Sequence, residues 1–377
     1  MEISKKITRL FISTGYYHNL IIATLIEQIS LPNVMYEDYL ILSSIRQDLE
    51  KNLQMVKLLG CNFTHTYSLS KKQKPADMLA EKCQGLIFDE IYAEPFTYSS
   101  SYFKKYSNTN TKYYGVHEGL MSYVPPLHNT KSIFVTQYLL FPELCIYNTK
   151  VVSINREILK KNLSKISVKL KTKYDEKNIL FIAGTDKLTK EGIKQLINYF
   201  NLLTDKGYTI YIKDHPRIQV GWKNISSRCK NPEKIIPISE DIILAEQILP
   251  IIKPKMIVGF KSTSLLAGYY FYNIPTFCIW QNTKSLTYKF ISVERIMYAI
   301  PHLEDFLNQN KYNALEYCDN YSFFYLSTFQ NLLIKETGYL PIKLQIYLKL
   351  FFKTTIIKSL RSFVKIIYYL IRYKYLP

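Results

Sequence analysis

The sequence predicts an α/β protein in which two Rossmann-like domains face a cleft. Short apolar and β-branched runs, typical of buried strands, alternate with segments of helical apolar spacing, and this alternation indicates parallel sheets. It occurs twice, on the two sides of a segment rich in Lys and Asn. We therefore predict a first domain at residues 1–150, a linker at 151–177, a second domain at 178–335 and a basic amphipathic helical tail at 336–377.

The first domain opens with a predicted strand, a glycine turn and a helix. Residues Ile7–Thr14 are apolar and β-branched and end at a glycine, and Tyr16–Ile29 has its apolar residues at helical spacing. Three later apolar runs predict further strands of this domain, at Gly85–Phe88, Tyr113–Val116 and Ser132–Val135.

A second series of strands and helices begins after the predicted linker. Asn178–Ala183 is an apolar run that ends at Gly184, and Lys187–Leu203 has the pattern of an amphipathic helix. Further strands are predicted at Tyr208–Lys213, Lys255–Gly259 and Thr276–Trp280. Because ligands of parallel sheets bind beyond the carboxyl ends of the strands, we expect functional residues directly after these runs.

The composition is that of a globular protein. The chain has 377 residues, of which 47% are hydrophobic and 21% charged, which excludes a disordered or collagen-like chain. No apolar window reaches the ~18 residues of a membrane-spanning helix, and the N-terminus lacks a signal-peptide pattern. The cysteines include no close pair, which favours a reducing compartment and argues against disulfides and a zinc site.

The charge is strongly positive and unevenly distributed. Lys and Arg number 49 against 30 Asp and Glu, a net charge of +19, so we expect an anionic partner. After Glu336 there are eight basic residues and no acid. Residues 356–374 separate into an apolar and a basic side on a helical wheel, which predicts contact with an anionic membrane surface. A closing helix packed on the core is the alternative.

The segment KDHPR directly follows the predicted strand Tyr208–Lys213. It places His215 at the cleft, where an imidazole can donate a proton or a hydrogen bond to a phosphate leaving group. Lys213 adds positive potential, and Pro216 restricts the turn. The alternative is an ordinary strand-ending turn with a surface histidine.

The segment GFKSTSLL follows the predicted strand Lys255–Gly259 and opens a helical stretch. The hydroxyls of Ser262, Thr263 and Ser264 either cap the free amides of the helix start or bind a phosphate together with them. The glycine and lysine spacing is not that of a Walker A loop. Gly184 is expected at the same nucleotide-binding edge of the sheet.

The segment YGVHEGLMSY places His117 and Glu118 after the predicted strand Tyr113–Val116. Both side chains can accept a proton, so one of them is a candidate general base. The alternative is a simple polar turn at Gly119.

Taken in chain order, His117-Glu118-Gly119, His215-Pro216 and Ser262-Thr263 resemble the D/E-D/E-G, HP and S-S/T motifs of bacterial GT-B sialyltransferases. The resemblance is closest to the polysialyltransferase family and next to the lipooligosaccharide sialyltransferases. HEGLMSY is similar to the family's E-D/E-G-L-G-S-Y, and ILAEQIL through IVGFKSTSLL is similar to its I-P-x-E-x-L and P-x-x-V-G-x-x-S-S-x-L block. The similarity covers roughly residues 7–300.

The resemblance implies an inverting transfer of sialic acid from CMP-sialic acid to a hydroxyl of capsular polysaccharide or lipooligosaccharide, without a metal or other cofactor. The family's usual base is the first acid of D/E-D/E-G, but His117 occupies that position here. Either His117 or Glu118 is then the base. His215 would support the departing CMP phosphate, and the hydroxyls of Ser262 and Thr263 would bind it.

The same resemblance suggests the remaining partners. Glu246 would hold the nucleotide ribose, with a helix-surface position as the alternative. The expected partners are a nucleotide-sugar donor, a glycan or glycolipid acceptor and an anionic membrane, and the expected location is the cytoplasm, at the inner face of a bacterial cytoplasmic membrane.

Three other functions are weighed against this one. A CDP-alditol-dependent transferase of the teichoic-acid type also pairs a histidine motif with HP and Ser-Ser motifs, but its first motif reads H-G-T-P. A nucleic-acid-binding protein would fit the basic charge, yet no nucleic-acid-binding module is recognisable, so we expect no nucleic acid partner. A noncatalytic relative is the third alternative, because position 117 lacks the expected acid.

Overall fold

The computed structural model describes most of the chain up to residue 320. The described residues are 6–43, 49–69, 75–95, 98, 100–123, 133–145, 150–166, 175–184, 188–215, 222–239, 242–260, 262–279, 300–308 and 313–320. The chain divides into two units, Met1–Tyr321 and Ser322–Pro377, and every described residue belongs to the first. The predicted tail at 336–377 lies outside the described residues.

Seven parallel strands form the first sheet. They are β1 (Lys6–Ser13), β2 (Met35–Leu42), β3 (His65–Ser68), β4 (Glu90–Ala93), β5 (Lys112–Val116), β6 (Thr136–Leu139) and β7 (Lys150–Ser153), in the spatial order β3-β2-β1-β4-β5-β6-β7. The neighbouring strands β1 and β2 are paired over their whole length, and the last five residues of both strands are buried.

Five parallel strands form the second sheet. They are β8 (Asn178–Ile182), β9 (Thr209–Lys213), β10 (Ile235–Pro237), β11 (Met256–Gly259) and β12 (Thr276–Cys278), in the order β10-β9-β8-β11-β12. Both sheets therefore reverse their strand order beside their first strand, between β1 and β4 and between β8 and β11. Such switch points are where ligands of Rossmann-like sheets bind. The predicted α/β fold class, with two Rossmann-like parallel sheets, is confirmed.

Helices connect the strands. They are α1 (Tyr16–Ile29), α2 (Leu49–Leu58), α3 (Pro75–Lys82), α4 (Ser100–Phe103), α5 (Arg156–Lys165), α6 (Lys190–Asp205), α7 (Trp222–Ser226), α8 (Leu249–Ile252), α9 (Thr263–Tyr272) and α10 (Leu303–Leu307). Short 3-10 helices lie at Lys104–Tyr106, Leu120–Tyr123, Pro142–Leu144, Pro232–Lys234 and Ala245–Gln247. Among the described residues, no helix is long and apolar enough to cross a bilayer.

Most predicted strands are confirmed, and two are wrong. The apolar run Gly85–Phe88 is a turn and loop: Gly85 has a φ of +78°, and Phe88 packs in the core, while the strand follows at β4. In the run Ser132–Val135, the described residues 133–135 precede the strand, which is β6, and Val135 is 60% exposed. Short apolar runs therefore occur in loops as well as in strands, and a loop can bury a side chain such as Phe88 without pairing into a sheet.

The segment predicted as a linker contains regular structure. Lys150–Ser153 is the edge strand β7, and Asn155 caps α5 by accepting hydrogen bonds from the amides of Glu157 and Ile158. Helix α5 packs on α1, and Asn162 Nδ2 donates to Thr24 Oγ1 over 3.3 Å. Residues 150–166 therefore belong to the half of the molecule that contains the first sheet, because β7 pairs with β6 and α5 packs on α1.

The two halves of the first unit contact each other through aromatic rings. The ring of Phe141, after β6, lies 5.2 Å from that of Tyr270 and 5.4 Å from that of Phe271 on α9. The Arg156 guanidinium lies 5.4 Å from the Phe271 ring. Elsewhere in this junction, Gln247 Nε2 donates to the carbonyl oxygen of Ile166 over 2.6 Å. These contacts place the carboxyl edge of the first sheet next to α9.

Candidate active site

The turn after β5 is held by a buried serine. The Glu118 amide donates to Ser122 Oγ over 2.9 Å, and the His117 amide donates to the Tyr138 carbonyl of the neighbouring strand over 3.0 Å. Ser122 is buried, His117 is 0% exposed and Glu118 is half-buried. The two candidate bases therefore lie side by side in different environments, and only Glu118 reaches solvent.

The His117 imidazole sits among aromatic rings. Its ring centroid lies 5.2 Å from that of Tyr123 and 5.7 Å from that of Tyr17. Burial, with a smaller contribution from His18, lowers the pKa of His117 to about 3. An imidazole with this pKa is neutral near pH 7 and is a weak proton acceptor.

The HP motif follows β9 as predicted. Lys213, the last residue of the strand, is buried, and its Nζ donates to the Asp214 carbonyl over 2.6 Å. The indole of Trp222 donates to Asp214 Oδ1, which holds this turn against α7. His215 is half-buried at the carboxyl edge of the sheet. Pro216 lies outside the described residues.

The hydroxyl motif begins α9. Ser262 is the N-cap, and its Oγ accepts a hydrogen bond from the Ser264 amide over 3.3 Å. The capping interpretation is therefore correct for Ser262, and Thr263 and Ser264 are half-buried in the first turn of the helix. Such a helix start directs free amides toward the cleft, where an anion can bind.

Gly184 has a steric role in the structure. A Cβ atom placed on Gly184 would lie 2.8 Å from Cβ of Phe260, closer than real side chains approach. A Cβ atom on Gly259 would lie 2.5 Å from the Ile182 carbonyl oxygen. The loops after β8 and β11 therefore approach each other closely at the switch point because both carry glycine.

The first and third motifs meet across the two halves. A Cβ atom placed on Gly119 would lie 3.6 Å from Thr263 Oγ1. The turn that carries Glu118 is thus in contact distance of the helix start that carries Thr263. The sequence could not reveal this contact, because the two residues belong to different sheets.

Glu246 lies in the 3-10 helix Ala245–Gln247 and is 3% exposed, so the helix-surface alternative is wrong. Burial raises the pKa of its carboxyl, while a hydrogen bond from Ser264 and the charge of Lys213 act in the opposite direction. The structure therefore brings together Glu246, the start of α9 and the end of β9.

The segment GYYHN after β1 is a part of the site that the motif search missed. The Thr14 amide donates to His18 Nδ1 over 3.2 Å, and burial lowers the pKa of His18 to about 3. Asn19 accepts from Ser13 Oγ over 2.5 Å. The Tyr17 ring lies 5.7 Å from the His117 ring, and burial, with a smaller contribution from the charge of Glu246, raises the pKa of Tyr17. The sequence did contain an indication of this part of the site, since polar residues here interrupt an apolar run directly after β1.

Comparison with known proteins identifies a family. The family model of alpha-2,8-polysialyltransferase (POLYST) matches residues 9–281. No curated protein matches the sequence significantly.

Solved structures are similar in fold. The match to S. aureus MnaA in complex with UDP has 14% sequence identity and a TM-score of 0.50, and covers 89% of this chain and 90% of the MnaA chain. The match to a UDP-N-acetylglucosamine 2-epimerase has 10% identity and a TM-score of 0.52, and covers 80% of this chain and 84% of the epimerase. The match to the GT-B domain of a sialyltransferase from Photobacterium damselae has 11% identity and a TM-score of 0.45, and covers 78% of this chain and 96% of that domain.

Proposed function

The chain belongs to the alpha-2,8-polysialyltransferase family and is a glycosyltransferase, and from this premise we propose that it transfers sialic acid from CMP-sialic acid to a hydroxyl of capsular polysaccharide or lipooligosaccharide. The observation that supports the proposal most directly is the contact between Gly119 and Thr263. It joins the motif of the proton acceptor to the motif of the proposed phosphate site.

We assign the role of general base to Glu118. The acceptor hydroxyl attacks the anomeric carbon of sialic acid, the bond from that carbon to the CMP phosphate breaks, and Glu118 takes the hydroxyl proton. A single displacement of this kind inverts the anomeric configuration. Glu118 reaches solvent beside Gly119, whereas His117 is fully buried and its pKa of about 3 makes it a poor base.

The second half of the molecule supports the leaving group. His215 lies at the carboxyl edge beside Lys213, where an imidazole N–H can bind the departing phosphate. The amides and hydroxyls at the start of α9, with Thr263 beside the first motif, are placed to share its charge. Glu246 is proposed to bind the ribose hydroxyls. These groups offset the charge of the CMP, so the proposed reaction uses no metal or other cofactor.

The proposal is tested by CMP release and sugar transfer from CMP-sialic acid, with sialylated and galactose-terminated acceptors. We expect turnover by the wild type and a loss of about 100-fold or more in His215→Ala, the usual size of an acid–base contribution. His65→Ala, at the opposite edge of the first sheet, is the matched control and should keep full activity. Turnover of CDP-glycerol without any use of CMP-sialic acid would overturn the proposal in favour of the CDP-alditol-dependent alternative.

We further propose that the enzyme acts in the cytoplasm, bound at the inner face of the cytoplasmic membrane. The support is in the sequence, where residues after Glu336 carry eight basic and no acidic side chains, with an apolar side over residues 356–374. Each cation at an anionic membrane surface contributes about 1 kcal/mol, and the apolar side adds to that.

Sedimentation with anionic vesicles tests the membrane proposal. We expect the full chain to pellet with the vesicles in low salt, and a chain that ends at Thr337 to stay in the supernatant. In the full chain, Lys358→Glu, Arg361→Glu and Lys365→Glu together should also abolish pelleting. The control places the same three charge reversals on or next to α6, at the exposed Lys190, Lys194 and Lys206, and should leave pelleting intact. A truncated chain that pellets undiminished would contradict the proposal.

A further inference from the structure

Five buried polar atoms with no hydrogen-bond partner among the described residues gather at one place in the molecule. They are Tyr17 Oη, His18 Nε2, His117 Nδ1, His117 Nε2 and Glu246 Oε1, and we call them the orphan cluster. The side chains come from the start of α1, the end of β5 and the 3-10 helix Ala245–Gln247. The orphan cluster therefore combines the carboxyl edge of the first sheet with a segment of the second half.

The members of the orphan cluster are neighbours. The ring centroids of Tyr17 and His117 lie 5.7 Å apart. Burial, with a smaller contribution from the charge of Glu246, raises the pKa of Tyr17, and burial, with a smaller contribution from His18, lowers the pKa of His117. His18, His117 and Glu246 are between 0% and 3% exposed, while the Tyr17 residue is partly exposed and forms the outer side of the group.

Buried polar groups in native proteins nearly always have hydrogen-bond partners, because an unpaired one loses its hydration without compensation. Isolated exceptions occur, but several at one site indicate a partner outside the protein chain. The location supports this interpretation, because two members adjoin the proposed active site. His117 directly precedes Glu118 in the chain, and Glu246 accepts a hydrogen bond from Ser264 at the start of α9.

The chemistry of the orphan atoms indicates what the partner carries. His18 Nδ1 accepts from the Thr14 amide, so the ring proton is on Nε2, which is a donor. Neutral His117 offers one donor and one acceptor, Glu246 Oε1 is a carboxyl oxygen, and the Tyr17 hydroxyl both donates and accepts. Donors and acceptors are thus balanced. A phosphate or carboxylate would bring only acceptors, whereas each hydroxyl of a polyol brings one donor and its acceptor lone pairs.

We propose that Tyr17, His18 and His117 of the orphan cluster bind the exocyclic vicinal hydroxyls of a sugar, as a pocket for the polyol side chain of sialic acid next to the ribose site proposed for Glu246. This inference rests on the proposed function, because that function supplies the sugar. The polyol belongs either to the transferred sugar of the donor or to the terminal sugar of a sialylated acceptor. Tyr17, His18 and His117 act here as binding residues that select the substrate.

The test compares intact sugars with sugars whose side chain has been shortened by mild periodate oxidation and borohydride reduction. In the donor arm, sialic acid is shortened before it is coupled to CMP, so that the ribose diol stays intact, and it is then used with an intact acceptor. The acceptor arm measures the binding of intact and shortened sialylated acceptors without turnover, because shortening can remove the attacking hydroxyl itself. In the arm that involves the pocket, the wild type should prefer the intact sugar by about 100-fold, in kcat/KM for the donor or in Kd for the acceptor, because a site built to bind hydroxyls rejects an analogue without them.

The decisive variant is Tyr17→Phe, which removes only a hydroxyl. It should reduce the preference for the intact sugar about tenfold, chiefly through KM for the donor or Kd for the acceptor, while the Tm without substrate stays the same or rises, because an unpaired buried hydroxyl is lost. The control is Tyr199→Phe, whose hydroxyl bonds to Gln195 and Glu304 on the second half. It should lower the Tm and leave the sugar preference unchanged.

The outcomes separate the two proposals. An active wild type that does not distinguish intact from shortened sugars in either arm would overturn the polyol pocket and leave the sialyltransferase function intact. A Tyr17→Phe variant that loses Tm but keeps the preference of the wild type would also overturn it, because the hydroxyl would then bind only protein or water. A wild type that is inert toward both intact sugars would overturn the proposed function and this inference with it.

Discussion

Glu118→Gln is expected to lower kcat for sugar transfer by about 100- to 10,000-fold, the usual contribution of a general base. Glutamine keeps the size of the side chain. The backbone amide of residue 118 still donates its hydrogen bond to Ser122 Oγ, so the turn should remain in place. The KM values should change little, because the proton moves only in the transition state. Initial rates with saturating CMP-sialic acid and acceptor measure the effect.

Two further variants make this result specific. Glu37→Gln removes another partly buried carboxylate, which pairs with Lys6 near the amino ends of β1 and β2, and this variant should keep its activity. His117→Gln should act mainly on KM for the sugar, because His117 belongs to the orphan cluster. If His117→Gln lost kcat as severely as we expect for Glu118→Gln, and Glu118→Gln remained active, the base would be His117 and our assignment would be wrong.

The free energy of unfolding is expected to fall as the pH is lowered from about 7 to about 5, by about 2 kcal/mol for each of two buried histidines. Burial lowers the pKa of His18 and His117 from the usual 6.5 to about 3. Between these values the unfolded chain binds protons that the folded chain does not. Stability therefore rises with pH across this window and is lost progressively toward pH 3.

Urea unfolding of the wild type and His18→Gln at about pH 5 and pH 7 measures this linkage. The variant should lose about half of the histidine contribution to the pH dependence. Glu246 contributes with the opposite sign, because its pKa is raised, so the difference between the two proteins isolates the histidine. Asn52→Ala removes a buried, non-titrating side chain that bonds to Asn19 and should lower stability equally at both pH values. An unchanged slope in His18→Gln would contradict the prediction.

The strands that could be predicted are those made mostly of apolar or β-branched residues. β1, β8, β9 and β11 meet this condition, and their predicted positions are confirmed. β2 and β3 were missed because two adjacent acids, Glu37 and Asp38, interrupt MYEDYLIL, and because HTYS is a short, partly exposed edge strand. The run Gly85–Phe88 was misassigned because a buried loop and a buried strand have the same local composition.

The sequence by itself determined which residues follow the strands, and therefore that Glu118, His215 and Thr263 lie at the carboxyl edges of the two sheets. It also established the family motifs and the basic tail, because these depend only on the order of residues along the chain. Only the tertiary structure decided that Gly119 meets Thr263 and that His117 and Glu246 are buried. Burial and the resulting pKa shifts depend on distant segments packing around a side chain, and local sequence contains no information about which segments these are.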